Sequence, residues 1–474
     1  MQAPVVTLPL AARPVAGPRP GPSSRVDDTR AARSWFVLAI GSLVLAGLLS
    51  LLLVIGRLPF LGWLFTDPLF FKRALVVHVN LAMVLWFQAG TAAFLGLGCG
   101  ARLPRGPVAL SLALAVTGML GLLAGAVMPG AQPILANYIP VIDHPVFVAG
   151  LVCWFAGAGL FFATALATPA DPQNGLPDDT LIALRASAAV NLVAIATLAI
   201  AWRTTLGGLP AIGYYELVAW GGGHVLQVAN VAAMLGLWLL LLHRWSGHAV
   251  LSPTASRWLM LVLVLPCVAL PLMALGGTSS IGYTQGATEL MRWTIFPVGL
   301  IVLGLSLRHV ARHRAAAAPL VRDRRITGFA GSAALTVLGF ILGALIRSST
   351  TLVPGHYHCA IGAVTIALMA GAYEFCGIIS PAAAIAPAVR RARLQLLLFG
   401  GGQAVFGLGF ALAGAYGLGR KQYGVEQHVR SAGEYLGLGV MGLGGLVAVA
   451  GGLCFLAVML RCIGTWRSRA TSTA

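Results

Sequence analysis

Apolar residues run along this chain in long blocks, broken by short polar connections. The blocks fall near residues 35–56, 73–98, 107–128, 144–168, 180–202 and 213–242, then 256–277, 288–308, 326–347, 355–380, 393–417 and 433–461. Each is long enough, at 1.5 Å per residue, to cross a hydrocarbon layer of about 30 Å. Strands of a barrel would be shorter and would alternate apolar with polar positions. The pattern therefore predicts an all-α polytopic membrane protein with twelve transmembrane helices. Inside a bilayer only helices of this kind satisfy every backbone N–H and C=O within one segment. Residues 1–33 are rich in Pro and Arg and have no compact apolar core. They predict a disordered basic tail ahead of a membrane domain over 34–463, with a second tail at 464–474.

Composition agrees with the pattern. The 474 residues are 58% hydrophobic and 9% charged, against about 25% charged in soluble domains. The formal net charge of +18 raises nucleic acid as a partner, and the distribution of charge removes it. Of 31 Lys and Arg, only Arg57, Lys72, Arg73, Arg203, Arg292, Arg347, Arg420, Lys421 and Arg430 lie opposite the termini. The positive-inside rule then predicts both termini in the cytoplasm and a multi-pass protein of the bacterial inner membrane, in contact with lipid. Seven scattered cysteines form no CxxC or CxxCH, so no zinc site, disulfide framework or covalent haem attachment is indicated. The 59 glycines suit close packing of helices.

Histidine carries the candidate chemistry. His243, His248, His309 and His313 lie in or beside loops on the terminus side, and His428 in a loop opposite. His144 opens span 4, where a cap or loop contact is its simplest role. His78 in "FKRALVVHVNLAMVLWF", His224 in "YYELVAWGGGHVLQVANVAAM", and His356 and His358 in "VPGHYHCAIGAVT" are different. They sit in the first halves of spans 2, 6 and 10, which all run in one direction, so they share one depth. Imidazole is costly in hydrocarbon and is a common ligand of haem iron and copper. A packing role suits one such histidine better than four at one level. Residues two apart on a helix point about 200° from each other. His356 and His358 therefore cannot chelate one ion together, but each can reach a different cofactor.

This arrangement, over nearly the whole chain, resembles subunit I, the catalytic subunit of the haem–copper oxygen reductase superfamily, which includes the nitric oxide reductases. The local sequences look most like its divergent, nitric-oxide-reductase-like branches. The resemblance implies a cytochrome oxidase subunit I-like bundle with two haems, b-type by this likeness. It implies His78 and His358 as axial ligands of a low-spin haem, and His356 as the ligand of a high-spin haem. His224 becomes a ligand of a second metal, copper or non-haem iron. Arg420 and Lys421 in "GLGRKQYG" look like the family's basic pair on the haem propionates, whose carboxylates such cations neutralise.

The same resemblance marks departures. The family places two adjacent histidines in the outer half of helix 7, where this chain reads "LPLMALGGTSSIGYTQGATELMRW". Thr278, Ser279, Ser280, Tyr283 and Glu289 are the residues there with ligating atoms. Glu289 is the strong one, and it is equally an interfacial partner for Arg292. Val228 stands where relatives carry a catalytic Tyr or Glu, which leaves Gln227 and Tyr283 as candidate catalytic groups. Glu374 is the main acid inside the spans, too little for efficient proton pumping.

The function expected is electron transfer from low-spin to high-spin haem to reduce a small gas, oxygen to water or nitric oxide to nitrous oxide. The electron donor would be a periplasmic cytochrome c, a cupredoxin-like subunit, or quinol. The alternative is a non-catalytic haem paralogue, a gas sensor or electron relay that has lost the second metal. A transporter with buried histidines is a third, more distant reading, and it gives no reason for the His-x-His spacing.

Overall fold

A computed structural model describes residues 29–61, 64, 67–173, 175–315, 322–380, 391–422 and 427–472. Most of the expected N-terminal tail lies outside them. Among the described residues, twelve helices are long and apolar enough to cross a membrane. They are α1 (Arg30–Arg57), α2 (Leu69–Arg102), α3 (Arg105–Val127), α4 (Pro145–Ala167), α5 (Asp178–Thr204) and α6 (Ala211–Ser246). The second half comprises α7 (Pro253–Leu275), α8 (Ile281–His313), α9 (Arg324–Leu345), α10 (Leu352–Ile379), α11 (Ala392–Ala415) and α12 (Ala432–Ser472). All twelve expected spans are present, and the expectation of an all-helical membrane bundle holds.

Helix ends differ from the apolar blocks where polar caps add turns. Helix α2 opens earlier because the Asp67 side chain accepts the Leu69 N–H at 2.8 Å, with Pro68 preset for a first turn. Ser280 likewise accepts the Tyr283 N–H at 3.2 Å, so α8 starts at Ile281 and takes in Tyr283 and Glu289. Helix α1 begins at Arg30, inside the expected tail, and α12 continues through Ser472. One feature has no counterpart in the apolar pattern. Between α3 and α4 a two-stranded antiparallel hairpin pairs β1 (Gln132–Ile134) with β2 (Val141–Asp143).

Three helices form the inner layer. Of the most apolar stretch of α2, α6 and α10, 89% is buried, against 28–50% in the other nine. These inner helices carry all four candidate histidine ligands, while Glu289 lies on α8. The outer helices pack on one another through glycines where backbones nearly touch. A Cβ added at Gly409 of α11 would lie 2.2 Å from the Met441 nitrogen of α12, and one at Gly444 would lie 2.3 Å from that of Phe406. Lipid tails are as apolar as leucine, so such contacts, not solvent exclusion, hold outer helices together.

Gly409→Val therefore has to force α11 and α12 apart, at a cost of about 1–3 kcal/mol. A lower unfolding temperature is expected for the detergent-solubilised variant, while Gly439→Ala, which meets nothing within 4 Å, leaves it unchanged. Thermal melts followed by circular dichroism check both.

Candidate functional site

Each buried imidazole has two nitrogens, and their partners define the site. A carbonyl oxygen only accepts, so the ring nitrogen facing one must carry the proton. His78 Nδ1 donates to the Ala46 carbonyl of α1 at 2.8 Å, and His356 Nδ1 to the Gly339 carbonyl of α9 at 2.7 Å. His224 Nδ1 donates to Trp220 one turn back, also at 2.7 Å. In a neutral ring all three are left with the lone pair on Nε2. This is the arrangement that holds a ligating histidine in place and raises its basicity.

His356 has room only because residue 343 lacks a side chain: a Cβ there would lie 2.8 Å from His356 Nδ1. His358 faces elsewhere. Its ring packs on Phe406 and Phe410 of α11, at centroid distances of 4.6 and 5.9 Å, and stands within electrostatic reach of His78 and Arg57. The two histidines thus leave α10 on different sides, one toward α9 and one toward α11 and α2. Among the described residues, His358 has no hydrogen-bond partner. Its ring, like those of His78 and His356, remains partly accessible within the bundle. Arg57 is itself buried, its guanidinium 5.1 Å from the Phe410 centroid.

Below His78 the helix changes pitch. Residues Asn80–Leu85 form a π-helical turn, a departure common at functional sites. Asn80 lies in that turn, and its amide donates to the Val76 carbonyl at 2.9 Å and to Pro140 in the hairpin at 2.7 Å.

His224 differs from the other three. It is 1% exposed, and its Nε2 is already engaged. The Tyr138 hydroxyl lies 2.9 Å from Nε2, and Thr288 Oγ1 lies at 3.4 Å. Tyr138 comes from the hairpin, and sequence reasoning missed it; its segment "NYIPVIDHPVF" has no helical or alternating pattern to flag it. The triple glycine before His224 now has a physical role. Cβ atoms at Gly221, Gly222 and Gly223 would strike Tyr283, Leu198 and Tyr138 at 2.7, 2.4 and 2.4 Å.

The remaining expected residues divide. Arg420 and Lys421 do come to this end of the bundle. Arg420 Nε donates to Ser349 Oγ at 2.9 Å, just before α10, and the pair stands within electrostatic reach of Tyr138 and Glu216. Burial lowers the Lys421 ammonium pKa, opposed by Glu216 and assisted by Arg420. Burial and Glu216 raise that of the Tyr138 hydroxyl. Gln227 lies one turn from His224, half-buried.

Tyr283 is not free for chemistry. Its buried hydroxyl accepts from Gly221 N at 3.0 Å and donates to the Leu217 carbonyl at 3.2 Å, which bolts α8 to α6. Glu289 is not brought to His224 either. One residue along a helix turns about 100°, so while Thr288 faces inward, Glu289 points outward to Arg292 at 2.7 Å and Trp293 Nε1 at 3.0 Å. Thr278 bonds Thr205 at 2.9 Å. Ser280 caps α8, and His144 caps α4. Glu374 is held by Arg324 at 2.8 Å and Arg325 at 3.0 Å, paired rather than free to carry protons.

Haem fits the first group of residues. Among the described residues, His78 and His356 have anchored rings whose second nitrogen meets no hydrogen-bond partner, and His358 sits unbonded among aromatics. A second metal does not fit. The His224 lone pair is taken, and among the described residues no group of three or more His, Cys, Asp or Glu is placed to hold an ion.

A heme-copper terminal oxidase, solved as a dimer by cryo-EM, matches with a TM-score of 0.67 over 92% of this chain and 84% of that chain, at 14% identity. The fold is that of cytochrome oxidase subunit I. Within this subunit I fold, α2, α6 and α10 are the buried helices, as found above. Two relatives in sequence are known only as uncharacterized proteins. One, from Aquifex aeolicus (strain VF5), is 29% identical over 343 residues, covering 71% of this chain and 82% of that protein. The other, RP382 of Rickettsia prowazekii (strain Madrid E), is 26% identical over 493 residues, covering 90% and 94%. No family model matches the chain.

The hairpin is tied to α6 through Glu216, which accepts the Asn137 N–H at 2.9 Å and also its side-chain amide. Glu216→Ala removes both acceptors, at about 1–2 kcal/mol for donors to a charged group at a half-buried site. Hydrogen–deuterium exchange of residues 131–143 should quicken about tenfold, with exchange in α2 and α10 unchanged.

Proposed function

We propose that this chain is a membrane respiratory haem protein of the haem–copper oxidase type, in the bacterial cytoplasmic membrane with both termini cytoplasmic. His78 and His358 would hold a low-spin haem and His356 a second haem, both b-type. The observation that carries the proposal is the convergence of α2 and α10. His358 stands within electrostatic reach of His78 inside the bundle, while His356 leaves α10 on another side. When bound, haem would supply one-electron transfer at His78 and His358, and the binding and reduction of a small gas at His356.

The chain's own groups then have definite work. The Ala46 and Gly339 carbonyls orient His78 and His356 and strengthen them as donors. Phe406 and Phe410 exclude water from around His358. Arg57, Arg420 and Lys421 supply positive charge for carboxylates at the end of the bundle opposite the termini. Electrons would enter from that side, from a cytochrome c, a cupredoxin-like subunit or quinol. The reduced gas would be oxygen or nitric oxide, the latter following the likeness to the nitric oxide reductase branch. A second reading is favoured by one observation, the engaged Nε2 of His224. With no second metal beside the open haem, the protein would relay electrons or sense a gas rather than turn it over.

Purified protein should contain two haems per chain. His358→Ala and His78→Ala should each abolish the low-spin bands in reduced-minus-oxidised spectra. His356→Ala should keep those bands and lose one haem. Absence of haem from the purified wild type rejects the proposal. Turnover assays with oxygen and nitric oxide then separate reductase from relay.

A further inference from the structure

Tyr138 is placed by the structure with more care than a residue filling vacant space would be. Tyr138 and Lys421 are the two non-glycine residues with positive φ among the described residues, both at 65°. Such a conformation costs of order 1–2 kcal/mol for most side chains and persists only where the surroundings impose it. Here they do. Arg73 donates to the Ala131 carbonyl at 2.9 Å, Asn80 to Pro140 at 2.7 Å, and Tyr215 to Asp143 at 2.8 Å. Glu216 holds the neighbouring residue Asn137. Helices α2 and α6 therefore grip the hairpin on both sides of its tip. Gly223 leaves the gap into which the Tyr138 Cβ fits, and Trp220 packs edge-on against the phenol at 6.0 Å.

We infer that in this chain a Tyr138–His224 hydrogen-bonded pair replaces the second metal, with Tyr138 as a positioning residue for His224. The inference rests on the haem reading above only for identifying His224 with the second-metal position of this fold. His224 Nδ1–H is committed to the Trp220 carbonyl, so the Tyr138 hydroxyl donates to Nε2 and occupies the lone pair a metal would need. Binding an ion there would break this bond and eject a phenol from a hairpin gripped by four side chains, Arg73, Asn80, Tyr215 and Glu216. The residues that could add ligands turn elsewhere: Glu289 to Arg292, Thr278 to Thr205 and Tyr283 to α6. All iron in the protein would then be haem iron, and a haem held by His356 would work without a metal neighbour.

The test uses full-length wild type, Tyr138→Phe, Gly223→Ala and His224→Ala, each purified from medium supplied with copper and iron. Elemental analysis beside a haem assay should give iron equal to haem, with no stoichiometric copper or zinc in any of the four. A stoichiometric metal beyond haem, present in wild type and lost in His224→Ala, overturns the inference. A spectroscopic reading addresses the pair directly. With ¹⁵N-histidine labelling, the His224 resonance is the one missing from His224→Ala. Its lone-pair nitrogen should shift in Tyr138→Phe, and in the same direction in Gly223→Ala, whose added methyl displaces the phenol. An unmoved resonance in Tyr138→Phe also overturns the inference. Both measurements read out whether or not haem is present, so failure of the haem proposal and failure of this one are distinguishable.

Discussion

A polar nitrogen inside an apolar bundle must have a partner, and this requirement organises the molecule. An unsatisfied amide or imidazole away from water costs several kcal/mol. Of the four imidazoles on three buried helices, three are answered by protein groups, and among the described residues His358 meets only aromatic rings. His78 and His356 satisfy one nitrogen through carbonyls on neighbouring outer helices and hold the other in reserve. His224 satisfies both from within the protein. That difference, more than any count of histidines, separates the part of the site that fits haem from the part that does not fit a second metal.

The inner helices accept close neighbours because small residues let them. Glycines at 221, 222 and 223 admit Tyr283, Leu198 and Tyr138 against α6, and Gly343 admits His356 against α9. In each case the missing Cβ creates the gap that an aromatic, aliphatic or imidazole ring then fills. The hairpin between α3 and α4 uses one of these gaps to reach the core. It joins α2, which carries His78, to α6, which carries His224, so the two halves of the site share a structural support.

Much of this was legible beforehand. The twelve apolar blocks and the different sides on which His356 and His358 leave α10 follow from hydrophobic run length and helix geometry. Each depends on positions near one another in sequence. Glu289 and Tyr283 show where that kind of reasoning ends. Both carry ligating atoms in the right region, and whether such atoms face inward depends on the phase of α8, which a cap at Ser280 sets. Tyr138 was harder still, since a hairpin tip has no periodicity and its target lies 86 residues away.

The sequence by itself determined that the chain crosses a membrane twelve times and carries imidazoles on its second, sixth and tenth helices. Hydrophobic run length and the 3.6-residue turn are local properties, and local properties survive any arrangement of neighbours. Only the tertiary structure decided which ring nitrogens remain free. A hydrogen bond is made between groups brought together by packing, and that packing gives the His224 lone pair to the Tyr138 hydroxyl.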